Sequence, residues 1–376
     1  MHGQDRPDRT LDELRQLLQD RAPSLQPLAP AAGVDRYVTR RESEITPKTV
    51  DEYRRKLDYF LEFCEMQGID DLNAFDGRLV DDYRVWRRDH ASDAVDTLGA
   101  KTMRDEMYLF RSFLRYLESI EAVRPGLADR VVVPELGDRD GVRDVEIAPE
   151  QVAAILEYLN THRYADREHV VWLLHCRTGR RPGAIQSLDV PDVHLEAEPY
   201  LTFRHRPGEG SRLKNGTKGE GDIAIMDAVA AVLEDYIEHH REPVTDEYGR
   251  EPLLTSAQGR LSKSVMRRYF YKWSRPCAYT NECPHGEVIE ACPAAQSMDA
   301  ASKCPSSHAS YATRHGHITQ LRRLGVPKSV ISDRCDVSEE IIDKHYDERT
   351  AEDRRQLQRD LFEQLHEQAD EDRGYI

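Results

Sequence analysis

Apolar residues recur at helical spacing along most of this chain, and the pattern changes only in one central stretch. Thr46 and Pro47 open the first strong run, where Val50, Tyr53, Leu57, Phe60, Leu61 and Cys64 share a face. Met107, Phe110, Phe113, Leu114 and Leu117 make a second. With the weaker runs between them, these predict a small helical domain over residues 36–122. Residues 1–35 read as an arm and linker: Thr10 and Glu13 suit a capping box, and Ala22 to Gly33 is rich in Pro and Ala. Another linker is expected within residues 123–147, because Arg124 to Asp144 mixes Pro, Gly and charge.

A larger domain over residues 148–350 opens at Pro149, with Val152, Ile155, Leu156 and Leu159 on one helical face. A helix through Val170 to Cys176 should stop at Gly179. Tyr200 to Arg204 alternates as a strand, Gly208 to Gly221 reads as turns around a second strand, and Asp222 to Ile225 as a third. Helices then return at Ala228–His240, Ser262–Ser274, Tyr311–Leu324, Lys328–Arg334 and Ser338–His345. In the C-terminal segment, residues 351–376, Leu357, Leu361 and Leu365 fall at i, i+4 and i+8. That helix could dock on its own chain or on a neighbouring copy. The expected fold class is mainly α with a small antiparallel β-sheet: a helical domain followed by an α+β domain.

Length fits two domains, at 376 residues. No apolar run approaches the roughly 18 residues of a membrane span, and no charged-then-apolar N-terminal stretch reads as a secretion signal. No membrane association and a cytoplasmic location are therefore expected. The formal net charge of -16 argues at first against nucleic acid, since duplex binding sets cations against phosphates. Of the 53 cations, Arg supplies 43 and Lys 10. Such an acidic, Lys-poor composition resembles that of proteins from salt-loving microbes; an ordinary acidic cytosolic protein is the alternative.

Local charge runs the other way. Arg260, Lys263, Arg267, Arg268, Lys272 and Arg275 give Arg260–Pro276 a charge of +6 with no acid, and Tyr200–Glu220 carries +3. These six cations, with Lys214, could be an exposed solvated face; the family resemblance given below favours reading them as candidate DNA contacts. The interleaved Tyr269, Tyr271 and Trp273 are expected to pack into the core. Cys277, Cys283, Cys292 and Cys304 fall within a 28-residue stretch that also holds His285. Four thiolates, or three with His285, meet the demand of a tetrahedral structural zinc; free thiols are the alternative.

Three blocks in the larger domain suit phosphate chemistry: Thr178-Gly179-Arg180-Arg181-Pro182-Gly183, the turn Lys214-Asn215-Gly216-Thr217-Lys218-Gly219, and Tyr311 through Arg314 to His345-Tyr346. In order and spacing, Arg181, Lys218, Arg314 and Tyr346 resemble the tyrosine recombinase (phage integrase) family, with Tyr346 lying 32 residues beyond Arg314. The chain looks most like haloarchaeal integrases, through the closing His345-Tyr346-Asp347-Glu348-Arg349-Thr350. The resemblance covers roughly residues 36–350. It implies a core-binding domain and a catalytic domain acting on double-stranded DNA, with assembly into dimers or tetramers and no catalytic cofactor. Tyr346 would be the nucleophile and Arg181 and Arg314 the phosphate clamps. Lys218, or alternatively Lys214, would be the general acid, and Tyr311 and His345 would assist. The pattern departs from the family at Tyr311, which replaces the His of His-x-x-Arg, and at Ala184, which replaces the usual acid. The family's last His or Trp falls near Asp336 and Val337. A site-specific recombinase is the leading expectation. A topoisomerase IB-like relaxase and a catalytically weak DNA-binding relative are the others.

Overall fold

The computed structural model describes residues 25–90, 97–137, 147–346 and 351–368. The chain divides into two compact units, Met1–Val142 and Arg143–Ile376.

The first unit is helical: α1 (Pro30–Glu42), α2 (Pro47–Gln67), α3 (Gly77–Asp89) and α4 (Ala100–Ser119). Thr46 caps α2 by accepting from the Thr49 amide at 3.3 Å, and Gly68 ends it in the left-handed region at φ 67°. The apolar stripes predicted for α2 and α4 meet in a core of aromatic rings, in which Phe60 contacts Phe75, Tyr83, Phe110 and Phe113. Two expectations fail here. Helix α1 starts at Pro30, inside the stretch expected as linker, because Val34, Tyr37 and Val38 belong to the core. Gly33 permits that approach: a Cβ there would stand 2.7 Å from Leu72 Cδ1. Likewise Val123, Leu127, Ala128 and Val131 are buried beyond residue 122. Pro and Gly punctuate a chain without deciding what it buries. The Thr10–Glu13 capping box and residues 138–146 of the expected linker lie outside the described residues.

The second unit begins with α5 (Pro149–His162), α6 (Arg167–Thr178) and α7 (Pro182–Ser187). A three-stranded antiparallel sheet follows, ordered β1 (Val193–His194), β2 (Tyr200–Phe203) and β3 (Gly221–Ala224), with Leu201 opposite Ile223. The strand expected between Gly208 and Gly221 is absent; that connection holds short turns and one isolated bridge, Arg206 to Ser211. Helix α8 (Asp227–Asp235), the two-residue strands β4 (Thr255–Ser256) and β5 (Gly259–Arg260), and α9 (Lys263–Trp273) come next. Beyond them lie the short α10 (Pro293–Gln296), then α11 (Ser310–Arg323), α12 (Lys328–Cys335), α13 (Glu339–Tyr346) and α14 (Ala351–Gln368). The fold class is mainly α with small antiparallel sheets, as expected. Tyr269 and Trp273 are buried in the main core around Trp172 and Phe270, which fits packing rather than base stacking. A second, smaller apolar cluster joins Ile318, Ile331, Cys335, Val337, Ile342 and Tyr346.

Gly179 ends α6 at φ 63°, and an added Cβ would lie 2.4 Å from the His317 ring and 2.8 Å from Cys335 Sγ. Gly249, at φ 74° in the same unit, has open space around it. Gly249→Ala should therefore cost only the left-handed penalty, about 1–2 kcal/mol. Gly179→Ala should cost at least twice as much in denaturant unfolding of the second unit; equal losses would remove the packing argument.

Candidate active site

Arg314, on α11, is 5% exposed and holds two helix ends together. Its guanidinium donates to Gly179 O at 2.6 Å, to Cys335 O, and to Asp336 O at 3.3 Å. Gly179 and Asp336, at φ 63° and 52°, are the left-handed residues that close α6 and α12. Helix C-termini leave carbonyls without partners and carry negative partial charge, so a buried cation satisfies both. Burial and the nearby Arg181 guanidinium hold the Arg314 pKa below its ordinary value.

The adjacent arginines of Thr178-Gly179-Arg180-Arg181 do different work. Arg180 is 1% exposed, lies over the Phe203 ring at 4.7 Å, and donates to Gly219 O at 2.7 Å and Asp333 O at 2.8 Å. It ties the β2–β3 connection to α12. Arg181 is partly exposed and pairs with Asp336, its Nη1 lying 2.6 Å from Oδ2. Asn215 Nδ2 donates to the other oxygen, Oδ1, at 2.7 Å. Lys218 is exposed and lines an open cleft with Asn215, Glu220, Asp333, Asp336 and Ser338; Lys214 is exposed but outside that lining. Asp336, near the position of the family's last His or Trp, therefore puts a carboxylate where two guanidiniums converge. An incoming phosphate would compete with it for Arg181.

Tyr346 closes α13 and is 4% exposed within the smaller apolar cluster. Burial, reinforced by the Tyr311 phenol to which it hydrogen-bonds, pushes its pKa up to about 12, against an opposing pull from Arg314. Tyr311 is itself 43% exposed. The side chain of His345 lies outside the described residues. His315 is the residue that motif reading missed. It is 1% exposed, its ring centroid lies 4.7 Å from that of Tyr346, and its Nε2 has no hydrogen-bond partner among the described residues. It stands one turn beyond Tyr311, with the two rings 5.9 Å apart. The spacing i, i+4 was the available signal.

The cationic stretch is less bare in space than in sequence. Arg260 is taken up by Asp189 and Asp246 at 2.5 and 2.8 Å, inside a network that also holds Arg206, Arg250 and Asp192. Arg275 is 5% exposed and donates to Lys272 O, while Lys272 pairs with Glu168 at 2.7 Å. These three are built into the fold; the acids that take up Arg260 and Lys272 come from other segments of the chain, which local charge counting cannot see. Arg268 makes an exposed pair with Asp299. Arg267 and Lys263 are exposed, and Lys263 Nζ lies 3.5 Å from where a Gly183 Cβ would stand, beside the Arg181 turn.

Cys277, Cys283, Cys292 and Cys304 are free thiols that line one cavity with His285. Among the described residues, no three Cys, His, Asp or Glu side chains are gathered to hold a single ion. No described helix is long and apolar enough to cross a membrane.

No protein-family model and no curated protein matches the chain. Solved structures do. A Tn1549 transposon integrase in complex with a circular-intermediate DNA is 12% identical with a TM-score of 0.63, over 89% of this chain and 99% of that one. A lambda integrase dimer bound to a core site is 13% identical with a TM-score of 0.59, over 92% of this chain and 83% of that one. The chain has the tyrosine recombinase fold.

The raised Tyr346 pKa has a direct consequence. A phenol that is harder to ionise folded than unfolded adds stability below its unfolded value of about 10, and that contribution fades as pH rises through about 12. The ultraviolet titration of the DNA-free protein, minus that of Tyr346→Phe, should show one phenol ionising near pH 12. A midpoint near 10 would mean that the ring is solvated.

Proposed function

We propose that this chain is a site-specific DNA recombinase, an integrase that cleaves and rejoins double-stranded DNA through a 3′-phosphotyrosyl intermediate without ATP. One observation supports the reading: Asp336, which lines the Lys218 cleft, accepts from Arg181 through its carboxylate and from Arg314 through its carbonyl, while Tyr346 packs with the flanking Cys335 and Val337. Tyr346 attacks the scissile phosphorus, the phosphotyrosyl bond forms, and the bond to the 5′-oxygen breaks. Bond energy kept in the covalent intermediate then serves religation. Arg181, released from Asp336 by the phosphate, and Arg314 neutralise the charge that builds on the nonbridging oxygens. Lys218 gives a proton to the leaving 5′-oxygen, and Lys214 is the runner-up for that role. His315, against the Tyr346 ring with an unpartnered Nε2, receives the tyrosine proton; Tyr311 holds the phenol until attack. No catalytic cofactor enters this scheme.

The exposed Lys214, Lys263 and Arg267 and the half-buried Arg268 support DNA contact. The lambda integrase of known structure is a dimer on its core site, and assembly of this chain into dimers or tetramers on DNA belongs to the same proposal. Leu357 of α14 packs on Gly325, where an added Cβ would meet it at 2.4 Å, while Leu361 and Phe362 are exposed and free to meet another copy. The acidic, Arg-dominated composition supports a salt-adapted, cytoplasmic protein, and the cysteine segment a structural zinc. The relaxase reading shares the nucleophile. The binding-only reading draws on Tyr311 and on Ala184, which is buried among apolar neighbours.

A nicked suicide duplex carrying the target site tests the proposal. A covalent protein–DNA band should form in high salt, vanish in Tyr346→Phe, and fall about 100- to 1000-fold in Arg181→Ala. Binding without any band would leave only the DNA-binding reading, and topoisomers without recombinants from a two-site plasmid would favour the relaxase. With His315 as base, His315→Ala should slow band formation by about 100-fold or more. An unchanged rate would mean that Tyr346 gives up its proton elsewhere.

A further inference from the structure

The segment between α9 and α11 has almost no apolar interior. From Pro276 to Ala309, only Ala294 and Ala301 are buried apolar residues, with Ala278, Tyr279 and Met298 partly buried against the main core. So little apolar burial does not offset the backbone entropy of ordering more than thirty residues, so something else must help to fix them.

Its local structure repeats one device. Cys283-Pro284-His285-Gly286, Cys292-Pro293-Ala294-Ala295 and Cys304-Pro305-Ser306-Ser307 are three turns of the same kind. In each, the Cys carbonyl accepts from the amide three residues on, at 3.3, 2.9 and 2.9 Å. Proline locks φ at the second position, so each turn presents its thiol in a fixed relation to the backbone. Cys277 sits on a fourth turn, Pro276–Ala278, which also has proline beside cysteine. All four thiols and His285 line one cavity, and none is in a disulfide. His285 is already engaged, its Nε2 lying 2.9 Å from Ser306 Oγ, which links the first turn to the third.

We infer that Cys277, Cys283, Cys292 and Cys304 bind one zinc ion as a tetrathiolate, with His285 bracing the turns rather than ligating. The side chains stand around the cavity without yet converging on one point, so binding draws them inward. Zinc–thiolate bonds form as the four thiols lose their protons to solvent, and no oxidant or reductant is involved. The ion takes the place of the missing apolar core. The segment then docks on α9 through Ser307 Oγ, which donates to Tyr271 O at 2.8 Å, and the His308 amide, which donates to Ser274 Oγ at 2.7 Å. Those contacts lie just ahead of α11, the helix that carries Arg314.

The test uses the full chain without DNA, so its outcome is independent of the recombinase reading. Elemental analysis of protein purified under reducing conditions should give about one zinc per chain, and cobalt substitution should give thiolate-to-metal charge-transfer and tetrahedral d–d bands. Titration with a thiol reagent should release zinc as those four cysteines react. Cys292→Ser should lose most of the metal, while Cys64→Ser, altering a cysteine buried in the other unit, should keep it. His285→Ala should also keep it. Absence of zinc together with absence of the cobalt bands would overturn the site. One metal retained undiminished in Cys292→Ser would overturn it equally.

Discussion

The second unit is organised around the bonds from the Arg314 guanidinium to carbonyls at the ends of two helices. Helices α6 and α12 both stop at left-handed residues, and their last carbonyls converge. With only apolar neighbours, such groups would each cost on the order of 1–3 kcal/mol unpartnered. One planar cation with five donors resolves both ends at once. The consequence reaches the surface. With its own carbonyl held by Arg314, Asp336 turns its carboxylate to Arg181 and Asn215. The residue proposed to clamp phosphate thus also builds the loop that the phosphate meets.

That double duty explains why charge is so poor a guide here. The chain carries 69 acids, and where the structure packs them against arginines they neutralise much of what sequence counting assigns to DNA. Asp189, Asp192 and Asp246 take up Arg206, Arg250 and Arg260 in one network. Lys214 and Lys218 are exposed on their turn, but the cleft that Lys218 lines also holds Glu220, Asp222, Asp333 and Asp336. Acids sit against arginines inside the fold and at the cleft alike, so neither the global charge nor the local count describes the surface that DNA would meet.

Much of this was legible in sequence because it is local. Thr46 before Pro47, Gly179 after a buried run, and alternation at Tyr200 each announce an element boundary without reference to anything distant. The resemblance through Thr-Gly-x-Arg gave the phosphate role to Arg181, which is the partly exposed member of the pair, Arg180 being buried. What escaped depends on partners far along the chain. The start of α1, Pro30 to Gly33, reads as linker because the stretch is rich in Pro and Ala, and contact of Gly33 with Leu72 and Leu117 makes it core. Asp336 lies 155 residues from Arg181, so no periodicity could pair them. His315 follows Arg314 directly and gained meaning only when α13 brought Tyr346 against it.

Under the proposed function, Tyr346 and Asp336 also bear on how the site is kept inactive without DNA. The phenol is neutral, buried in a cluster of six residues and held by Tyr311, and the Arg181 guanidinium is occupied by a carboxylate of its own chain. Neither restraint is deep. The tyrosine cluster is small beside the main core, and the Arg181 pair is partly exposed, so solvent weakens it to the order of a surface pair, about 0–1 kcal/mol. A phosphate offers Arg181 a stronger, bidentate anion and displaces Asp336 in the same step. Under the proposed reaction, the group that completes the site is the substrate phosphate itself, and the free enzyme keeps its nucleophile protonated until that anion arrives.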